Sequence, residues 1–406
     1  MRGWATRIIS AVVLNALFAA GPAATMGTAA ARNITRPDPG VPLAPAPLPA
    51  PGPARDGAEI ARLLMGVSRS SFGATAGGGA GGEGARVRLV KKVAFEGELW
   101  EPEGVVRLAG APRAASSGGD GGEDGDDGDG ERFWVSAGEY TVPTERYPGG
   151  RWVDGTDRSA GAGFAHFVVF DGTGRRLADW VVSREGDLEY HNGGLDYDGR
   201  HIWATLSQYR PNTTGTVVRI DPEGLEMEEV FRVKDHQGGI VHDVETGTLV
   251  TLNWGGRKGR RWDLRRRGDG ATSGEGQARL GGGRGDAFDA PDAEVVNPSH
   301  WVDYQDCKSL GHYGGRPVML CSGIATLGPG VEVGGLAIVD AESLVPIWEV
   351  PFMERADVGG AGGDAGKGVL LTKNPMDVAL VDGKVRLYFL PEEGRSTLYV
   401  YEVSEQ

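Results

Sequence analysis

Cysteine is scarce in this chain of 406 residues, which contains only two, Cys307 and Cys321. No C-x-x-C pair occurs, and this excludes the common dithiol redox and zinc-binding motifs. The two cysteines lie on strand-like segments that a Gly-rich turn joins, in CKSLGHYGGRPVMLC. Because facing positions on paired strands suit disulfide geometry, the pattern predicts a Cys307–Cys321 disulfide. Two buried thiols are the alternative.

Positive charge is also in short supply, since 42 lysines and arginines against 56 aspartates and glutamates give a net charge of −14. Nucleic acids and anionic membrane surfaces are bound by clustered positive charge, so we expect neither as a partner. One acidic run, Asp120 to Glu131, carries much of the excess. The rest of the chain is therefore less acidic than the total implies.

Long apolar runs are absent with one exception, Ile8 to Ala20. Arg2 and Arg7 precede this run, and small residues follow it. This is the order of segments in a secretory signal. The run is too short for a bilayer-spanning helix, although an uncleaved anchor is the alternative. We therefore predict a signal peptide over residues 1–31 and a secreted, extracellular protein that has no membrane contact after cleavage.

Two asparagines fit the N-glycosylation acceptor pattern N-x-[ST]. Asn33 lies in NIT and Asn212 lies in NTT. Both are predicted glycosylation sites wherever the host secretory route attaches glycans.

Helical periodicity is missing as well, because no long segment keeps apolar residues at a spacing of 3.6. Short runs rich in Val, Ile, Leu and aromatic residues alternate instead with Gly, Pro, Asp and Asn, which is typical of strands and turns. The runs recur in units of four strands, of which GGLDYDGRHIWATLSQY with TVVRIDPEGLEMEEVFRV is one complete example. Repeats of about 40–50 residues indicate propeller blades. We predict an all-β fold, a single β-propeller of five four-stranded blades, with six blades as the alternative.

The last repeat stops one strand short, and the segment VRLVKKVAF before the first repeat offers the missing strand. Pairing it with the C-terminal TLYVYEV would close the ring and cover two exposed strand edges. The propeller is therefore predicted over residues 86–406, with an N-terminal strand that closes the last blade.

Segments rich in Pro and Gly interrupt this pattern. Residues 32–85 indicate a linker that includes a short amphipathic helix in GAEIARLLMGVSRSSF. Gly-rich insertions are predicted between strands near residues 110–131, 255–292 and 359–368. The second contains the basic run RKGRRWDLRRR, which we expect to be a solvated loop. A polyanion contact or a dibasic processing site is the alternative.

The motif His-x-Gly-Gly occurs twice, as HNGG from His191 and as HQGG from His236. In a propeller the innermost strand of each blade lines the channel, and the loop before it opens on one face. Paired glycines leave room where such strands crowd together. Equivalent loops should therefore bring five polar side chains to one channel mouth, and these are Glu103, His191, His236, His300 and Asn374.

The histidines have three interpretations. Together with the carboxylate, His191, His236 and His300 could bind a divalent metal, the only cofactor that the sequence indicates. They could instead act as a general base near neutral pH. Alternatively, each histidine ties the start of a strand to the neighbouring blade through a hydrogen bond.

Further candidates for ligand contact lie close to these motifs. Asp303 adds a carboxylate, whereas Trp203 and Tyr209 could stack on a sugar or another ring. The alternative for the aromatic residues is a place in the core between blades. The motifs G-x-S-x-G and H-E-x-x-H and the phosphate-binding loop do not occur.

The motifs HxGG, NPSHxVDYQDC and NPMDV resemble a family of secreted microbial proteins that is classed as a domain of unknown function. The resemblance covers most of Phe164 to Glu402, except the Gly-rich insertions, by which this sequence departs from the family pattern. It implies an exported, propeller-like protein and implies no reaction.

The sequence leaves three functions open. The first is a secreted, monomeric propeller that binds a small polar ligand, such as a sugar or a lactone-like compound, at the histidine-lined mouth. The second is a hydrolase of glycosidase or lactonase type that uses the same mouth, with a histidine or carboxylate base and a divalent metal. The third is a protein-interaction scaffold.

Overall fold

Five antiparallel sheets follow one another along the chain in a computed structural model that describes residues 57–72, 85–109, 131–266, 288–356 and 368–405. Helix α1 (Gly57–Met65) and strand β1 (Arg86–Ala94) precede the first sheet. The innermost strands of neighbouring sheets contact each other around one axis. The fold is therefore a five-bladed β-propeller, as predicted, and the alternative of six blades is excluded.

Blades 1 and 2 are built from consecutive strands, numbered from the axis outward. Blade 1 contains β2 (Glu101–Ala109), β3 (Glu131–Val142), β4 (Ala162–Asp171) and β5 (Arg176–Val181). Blade 2 contains β6 (His191–Asn192), β7 (Asp196–Tyr197), β8 (Ile202–Ser207), β9 (Gly215–Asp221) and β10 (Glu226–Val233). Because β6 and β7 both pair with β8, they are two halves of one innermost strand that the Gly-Gly pair interrupts.

Blades 3 and 4 repeat the same order. Blade 3 contains β11 (Gly239–Asp243), β12 (Thr248–Leu252), β13 (Lys258–Asp263) and β14 (Ala293–Val296). Blade 4 contains β15 (Asp303–Tyr313), β16 (Arg316–Gly328), β17 (Val331–Asp340) and β18 (Pro346–Pro351). The facing cysteines Cys307 and Cys321 pair across β15 and β16 and form the predicted disulfide.

Blade 5 combines both ends of the described chain. It contains β19 (Met376–Val381), β20 (Lys384–Phe389), β21 (Thr397–Ser404) and, as its outermost strand, β1. Val87 pairs with Val403 and Val93 pairs with Leu398. The predicted closure of the ring is confirmed, and it covers the edge that β21 would otherwise expose.

In blades 1, 2 and 4 the third strand ends in an aspartate that fixes the turn after it. Asp171, Asp221 and Asp340 each accept hydrogen bonds from backbone N–H groups two to four residues further on, at 2.9 to 3.0 Å. Such Asx turns substitute for backbone turn bonds. The aspartates therefore fix the hairpins that lead to the outermost strands.

Helix α1 is part of the folded unit, although the sequence placed it in a linker. Ile60 and Leu64 are fully buried against blades 4 and 5. A Cβ on Gly57 would lie 1.1 Å from the carbonyl oxygen of Leu310, so the start of the helix sits directly on the backbone of β15. The folded part thus begins before Arg86.

The predicted insertion at residues 255–292 is wrong in its extent, because Lys258–Asp263 is strand β13 and pairs with β12 and β14. Trp262 is fully buried, and Arg260 is 8 % exposed. Arg260 is tolerated there because Asp235 and Glu294 neutralise its charge, at 3.0 and 2.9 Å. The arginines of this segment hid the alternation of buried and exposed residues that indicates a strand. The basic run up to Arg266 therefore forms β13 and the turn after it, and it is not a solvated loop.

Several predictions fall on parts of the chain outside the described residues. They are the signal peptide, Asn33, most of the linker, and the insertions over 110–130, 267–287 and 357–367. Within the described residues, no helix has the length and apolar character that crossing a membrane requires.

Ring closure predicts a difference between two truncations. Deletion of residues 1–84 removes α1, whereas deletion of residues 1–95 also removes β1. The buried Val87, Val93 and Phe95 contribute about 1.5–3 kcal/mol each, so the shorter chain should lose several kcal/mol more free energy of unfolding. Chemical denaturation measures this loss, and equal midpoints for the two chains would contradict closure by β1.

The disulfide predicts that denatured, unreduced protein contains no free thiol. The double variant C307A/C321A should lose about 3 kcal/mol of unfolding free energy, because a bridge across roughly fifteen residues restricts the unfolded chain. Thiol titration and denaturant unfolding measure the two quantities. Two free thiols per unreduced molecule would show that the bridge does not form.

Candidate functional site

The channel mouth is formed by residues at the start of three innermost strands and in the loops before these strands. Glu101 and Glu103 begin β2, His191 begins β6, and His236 lies directly before β11. Glu103 falls at a break in the pairing of β2 with β3, where Pro102 and Gly104 oppose successive residues. Such β-bulges re-aim a side chain, and this one brings Glu103 to the mouth.

Two glutamates and one histidine converge here. One ligand atom each of Glu101, Glu103 and His191 lies within 4.8 Å of the other two. His191 Nε2 is 4.0 Å from Glu103 Oε1. Glu103 keeps 17 % of its side-chain surface exposed, whereas His191 keeps 4 %. Part of the Glu103 side chain is therefore exposed, whereas His191 is almost fully covered.

Two tyrosines contact Glu101 and His191 from the side. The hydroxyl of Tyr209 donates to Glu101 Oε1 at 3.2 Å. The hydroxyl of Tyr140 lies 2.8 Å from His191 Nδ1. The Tyr209 ring stacks on His191 with centroids 4.3 Å apart. The phenols therefore fix both the carboxylate and the imidazole.

His236 is the neighbour of His191, with ring centroids 5.3 Å apart. Its Nδ1 donates to the carbonyl of Gln208 at 2.9 Å, so Nε2 is left as the acceptor. Below it, Asp235 accepts from the backbone N–H of His236 at 2.8 Å and from that of Asn212 at 3.0 Å. The ring of Trp254 packs 4.8 Å from His236 and forms part of the rim.

Burial and like charge determine the protonation of these groups. Burial, followed by the neighbouring Glu101 and Asp306 carboxylates, raises the pKa of Glu103 well above its ordinary value. Burial lowers the pKa of His191 well below its ordinary value, and it lowers the pKa of His236 to about 4. Near neutral pH the mouth thus combines two neutral imidazoles with an acidic pair that resists full ionisation.

Four residues predicted from the sequence contribute to this arrangement: Glu103, His191, His236 and Tyr209. Trp203 does not, because it is buried between blades and its indole N–H donates to Asp198 at 2.7 Å. The side-chain amide of Asn374 donates to the carbonyl of Pro391 at 2.9 Å, so this amide is bonded to the backbone rather than to the group at the mouth. Trp203 lies in the core between blades, which is the alternative given for the aromatic residues.

His300 and Asp303 are exposed, and both contact Arg257. Arg257 donates to His300 Nδ1 at 3.0 Å and lies 3.3 Å from Asp303. Of the predicted metal ligands His191, His236 and His300, only His191 belongs to a group of three potential ligands in the described residues. The group in the structure contains Glu101 and Glu103 in place of His236 and His300. His300 is not part of it, because its ring is hydrogen-bonded to Arg257.

Two contributors were missed, and their sequence signals differ. Glu101 lies two residues before Glu103, and alternation along a strand could have indicated it. Trp254, by contrast, stands close to the second His-x-Gly-Gly motif in the sequence, and it lies at the rim. Tyr140 lies near the C-terminal end of β3, and no local sequence pattern there indicates a contact with blade 2.

The donor set fits a divalent cation of the first transition series. Such ions bind imidazole nitrogen and carboxylate oxygen at about 2.0–2.2 Å, which places their ligands about 3–4 Å apart. Since the three atoms at the mouth lie within 4.8 Å of one another, they need to approach each other by up to about 1–2 Å. His191 is nine-tenths buried, and its Nε2 makes no hydrogen bond to the described residues.

A family of unknown function, DUF6454, matches residues 152–405. The chain belongs to this family. The matched region includes His191, Tyr209 and His236, whereas Glu101, Glu103 and Tyr140 precede it. No curated protein matches the chain.

Solved structures with a similar course of the chain include a luciferin-regenerating enzyme, with 8 % identity, a TM-score of 0.37, and coverage of 79 % of this chain and 95 % of that one. A hypothetical protein from Leishmania major has 10 % identity, a TM-score of 0.40 and coverage of 77 % and 90 %. A glucose dehydrogenase has 13 % identity, a TM-score of 0.33 and coverage of 78 % and 100 %. At these values the three proteins give no information on the chemistry of this family member.

The raised pKa of Glu103 predicts that E103Q stabilises the metal-free protein. A folded-state pKa above the unfolded value penalises folding at high pH, and the penalty disappears as the pH falls to the unfolded value. E103Q should therefore melt higher than wild type near pH 8, with a gain that shrinks towards pH 4.5. Melting curves in EDTA measure the gain. The control is E226Q on the exposed start of β10, and a constant or negative difference for E103Q would contradict the assignment.

Proposed function

We propose that this chain binds a small polar ligand at the channel mouth through a divalent cation that Glu101, Glu103 and His191 hold. Two carboxylates converge with a buried imidazole whose Nε2 makes no hydrogen bond to the part of the chain that the structure describes, and this convergence carries the proposal. A cation would remove the repulsion within the acidic pair and would give Nε2 a partner.

The surroundings of the three residues support a ligand of polar character. Lys373, which is hydrogen-bonded to Glu393 at 3.0 Å, interacts electrostatically with Glu101. Tyr209 and Trp254 add partly exposed rings at the same rim, 5.6 Å apart. Hydroxyl or carboxyl groups of a sugar or a lactone-like compound could bind the cation, while the rings cover the apolar face.

Hydrolysis of the ligand is the second candidate function. It is favoured by the raised pKa of Glu103, because in the absence of a cation a carboxyl group with a raised pKa can act as a general acid. With a cation bound, Glu103 would be an ionised ligand, and the cation would instead supply an activated water and polarise a carbonyl group.

Export of the protein belongs to the same proposal. The Cys307–Cys321 disulfide supports it, because disulfides persist in oxidising compartments. We also propose that the protein acts as a monomer, without a nucleic-acid or membrane partner. Asn212, whose amide donates to the carbonyl of Gly155 at 2.9 Å, stays a predicted glycosylation site.

Thermal unfolding with added cations tests the proposal. Mn²⁺ or Zn²⁺ at one hundred times its dissociation constant should stabilise the wild type by about 2.7 kcal/mol, and EDTA should reverse the effect. E103Q should lose this response. E226Q should keep it, and so should H300A, because His300 lies outside the ligand group.

A second titration, with sugars, sugar acids and lactones, should raise the melting temperature further only when the cation is present. Appearance of a new product in the same mixtures would favour the hydrolase. Absence of any response to divalent cations, or an undiminished response in E103Q, would disprove the cation site.

A further inference from the structure

We propose that the ligand of the channel mouth is a carboxylated sugar of the uronic acid class, and that Arg158 determines this specificity by binding the carboxylate. The inference rests on the proposed function and names the class of ligand for the same site. Its basis is a guanidinium group at the rim of the mouth. One edge of this group is held by the protein, and the other edge has no partner among the described residues.

The connection between β3 and β4 carries Arg158 to the mouth. The C-terminal part of β3 lies beside the mouth, because Gly138 pairs with Glu101 at the start of β2. The connection then folds back on itself as a hairpin, in which Val153 and Thr156 exchange backbone hydrogen bonds at 2.9 and 3.1 Å. The hairpin therefore presents Arg158 from a backbone of defined conformation.

The side chain of Arg158 lies against the aromatic part of the rim. Its Cζ is 4.5 Å from the centre of the Trp254 ring, and only 12 % of the side chain is exposed. The same indole ring packs 4.8 Å from His236 and 5.6 Å from Tyr209. Because a guanidinium group is attracted to the face of an indole, blade 1 contributes a cationic group to a rim that blades 2 and 3 line with rings.

The hydrogen bonds of this guanidinium group leave one edge available. Arg158 Nε and Nη2 donate to the two carboxylate oxygens of Asp157, at 2.8 and 3.1 Å. The guanidinium group has five N–H donors, and this contact uses the edge between Nε and Nη2. Nη1 makes no hydrogen bond within the part of the chain that the structure describes. Asp157 thus fixes the plane of the group, while the edge between Nη1 and Nη2 stays open to a second acceptor.

A carboxylate matches this open edge in both geometry and charge. Two parallel N–H···O bonds can join the edge to both oxygens of one carboxylate, and such charge-assisted pairs are stronger than hydrogen bonds between neutral groups. A hydroxyl group of a neutral sugar offers one oxygen and no charge. Arg158 therefore favours an acid over the neutral sugar of the same shape.

The neighbours of Arg158 fit the rest of a sugar. His236 Nδ1 donates to the carbonyl of Gln208 at 2.9 Å, and because a carbonyl group only accepts, Nε2 is an acceptor for a ligand hydroxyl group. Trp254 and Tyr209 are partly exposed and offer apolar surface to the carbon face of a sugar ring. A carboxylate, hydroxyl donors and a ring with an apolar face are the groups of a uronic acid.

Arg146 provides the matched control. It pairs with Arg158 across the same hairpin, and its Nε lies 3.8 Å from the Asp157 carboxylate. Its side chain is 79 % exposed. R146Q and R158Q therefore remove the same charge and a contact with the same carboxylate, whereas only R158Q removes the guanidinium group that lies over Trp254.

The experiment is calorimetric titration of the full chain in excess Mn²⁺ with methyl β-D-glucuronide and with methyl β-D-glucoside, at equal ionic strength. The two probes have the same ring and differ in a carboxylate against a hydroxymethyl group. Wild type and R146Q should bind the acid at least about tenfold more tightly than the neutral glycoside. R158Q should lose this preference through a loss of about 10- to 100-fold in affinity for the acid. Acetate, which has no ring and no hydroxyl group, should bind more weakly than the glucuronide.

The rise in melting temperature on addition of Mn²⁺ shows for each variant that the fold and the cation site are intact. If R158Q does not fold, R158K takes its place, since it keeps the charge without the fork and should also weaken binding of the acid. Equal binding of the two glycosides by the wild type, a preference undiminished in the Arg158 variant, the same loss in R146Q, or equally tight binding of acetate would overturn the inference and leave the cation site in place. A wild type that does not respond to Mn²⁺ would disprove the proposed function, and the ligand class would fail with it.

Discussion

The approach of five innermost strands to one axis is the constraint on which the rest of the structure depends. The N–H of Gly194 donates to the carbonyl of Gly238 at 2.8 Å, so the two His-x-Gly-Gly motifs are bonded to each other. A Cβ on Gly193 would lie 2.3 Å from Thr205 Oγ1, and one on Gly104 would lie 2.4 Å from the Leu195 nitrogen. Side chains are thus excluded where the strands meet, and the histidines before the glycines are carried to the rim.

The same crowding creates the electrostatic environment of the mouth. Asp306 and Lys308 are almost fully buried on β15, with Lys308 Nζ 2.6 Å from the carboxylate. Lys308 also donates to the carbonyl of Leu195 and so ties blade 4 to blade 2. Burial raises the pKa of Asp306 to about 7 against the opposing effect of Lys308, and the Asp306 carboxylate in turn raises the pKa of Glu103. Removal of one member of such a buried pair would leave the other charge without its partner, which is strongly destabilising.

Much of the architecture was predictable because it depends on local, repeated signals. Alternating apolar residues and turn-forming aspartates such as Asp221 indicated the strands, and the unpaired strand at each end indicated the closure. Strand β13 escaped because the burial of Arg260 depends on Asp235, a contact between segments distant in sequence. At the site, the places of Glu103, His191 and His236 followed from equivalent loops. The same equivalence failed for His300, because its ring is hydrogen-bonded to Arg257, which is another contact between segments distant in sequence.

Tyr140 and Arg260 show why the repeat does not specify the chemistry. Tyr140 reaches His191 of the next blade, and Arg260 reaches Asp235 in the loop before β11. Asp235 in turn fixes the backbone of His236 and that of Asn212, so one buried arginine supports two sides of the mouth. The repeated backbone therefore determines where polar groups meet. Single side-chain contacts, such as that of Tyr140 with His191 and that of Arg260 with Asp235, determine how those groups are held.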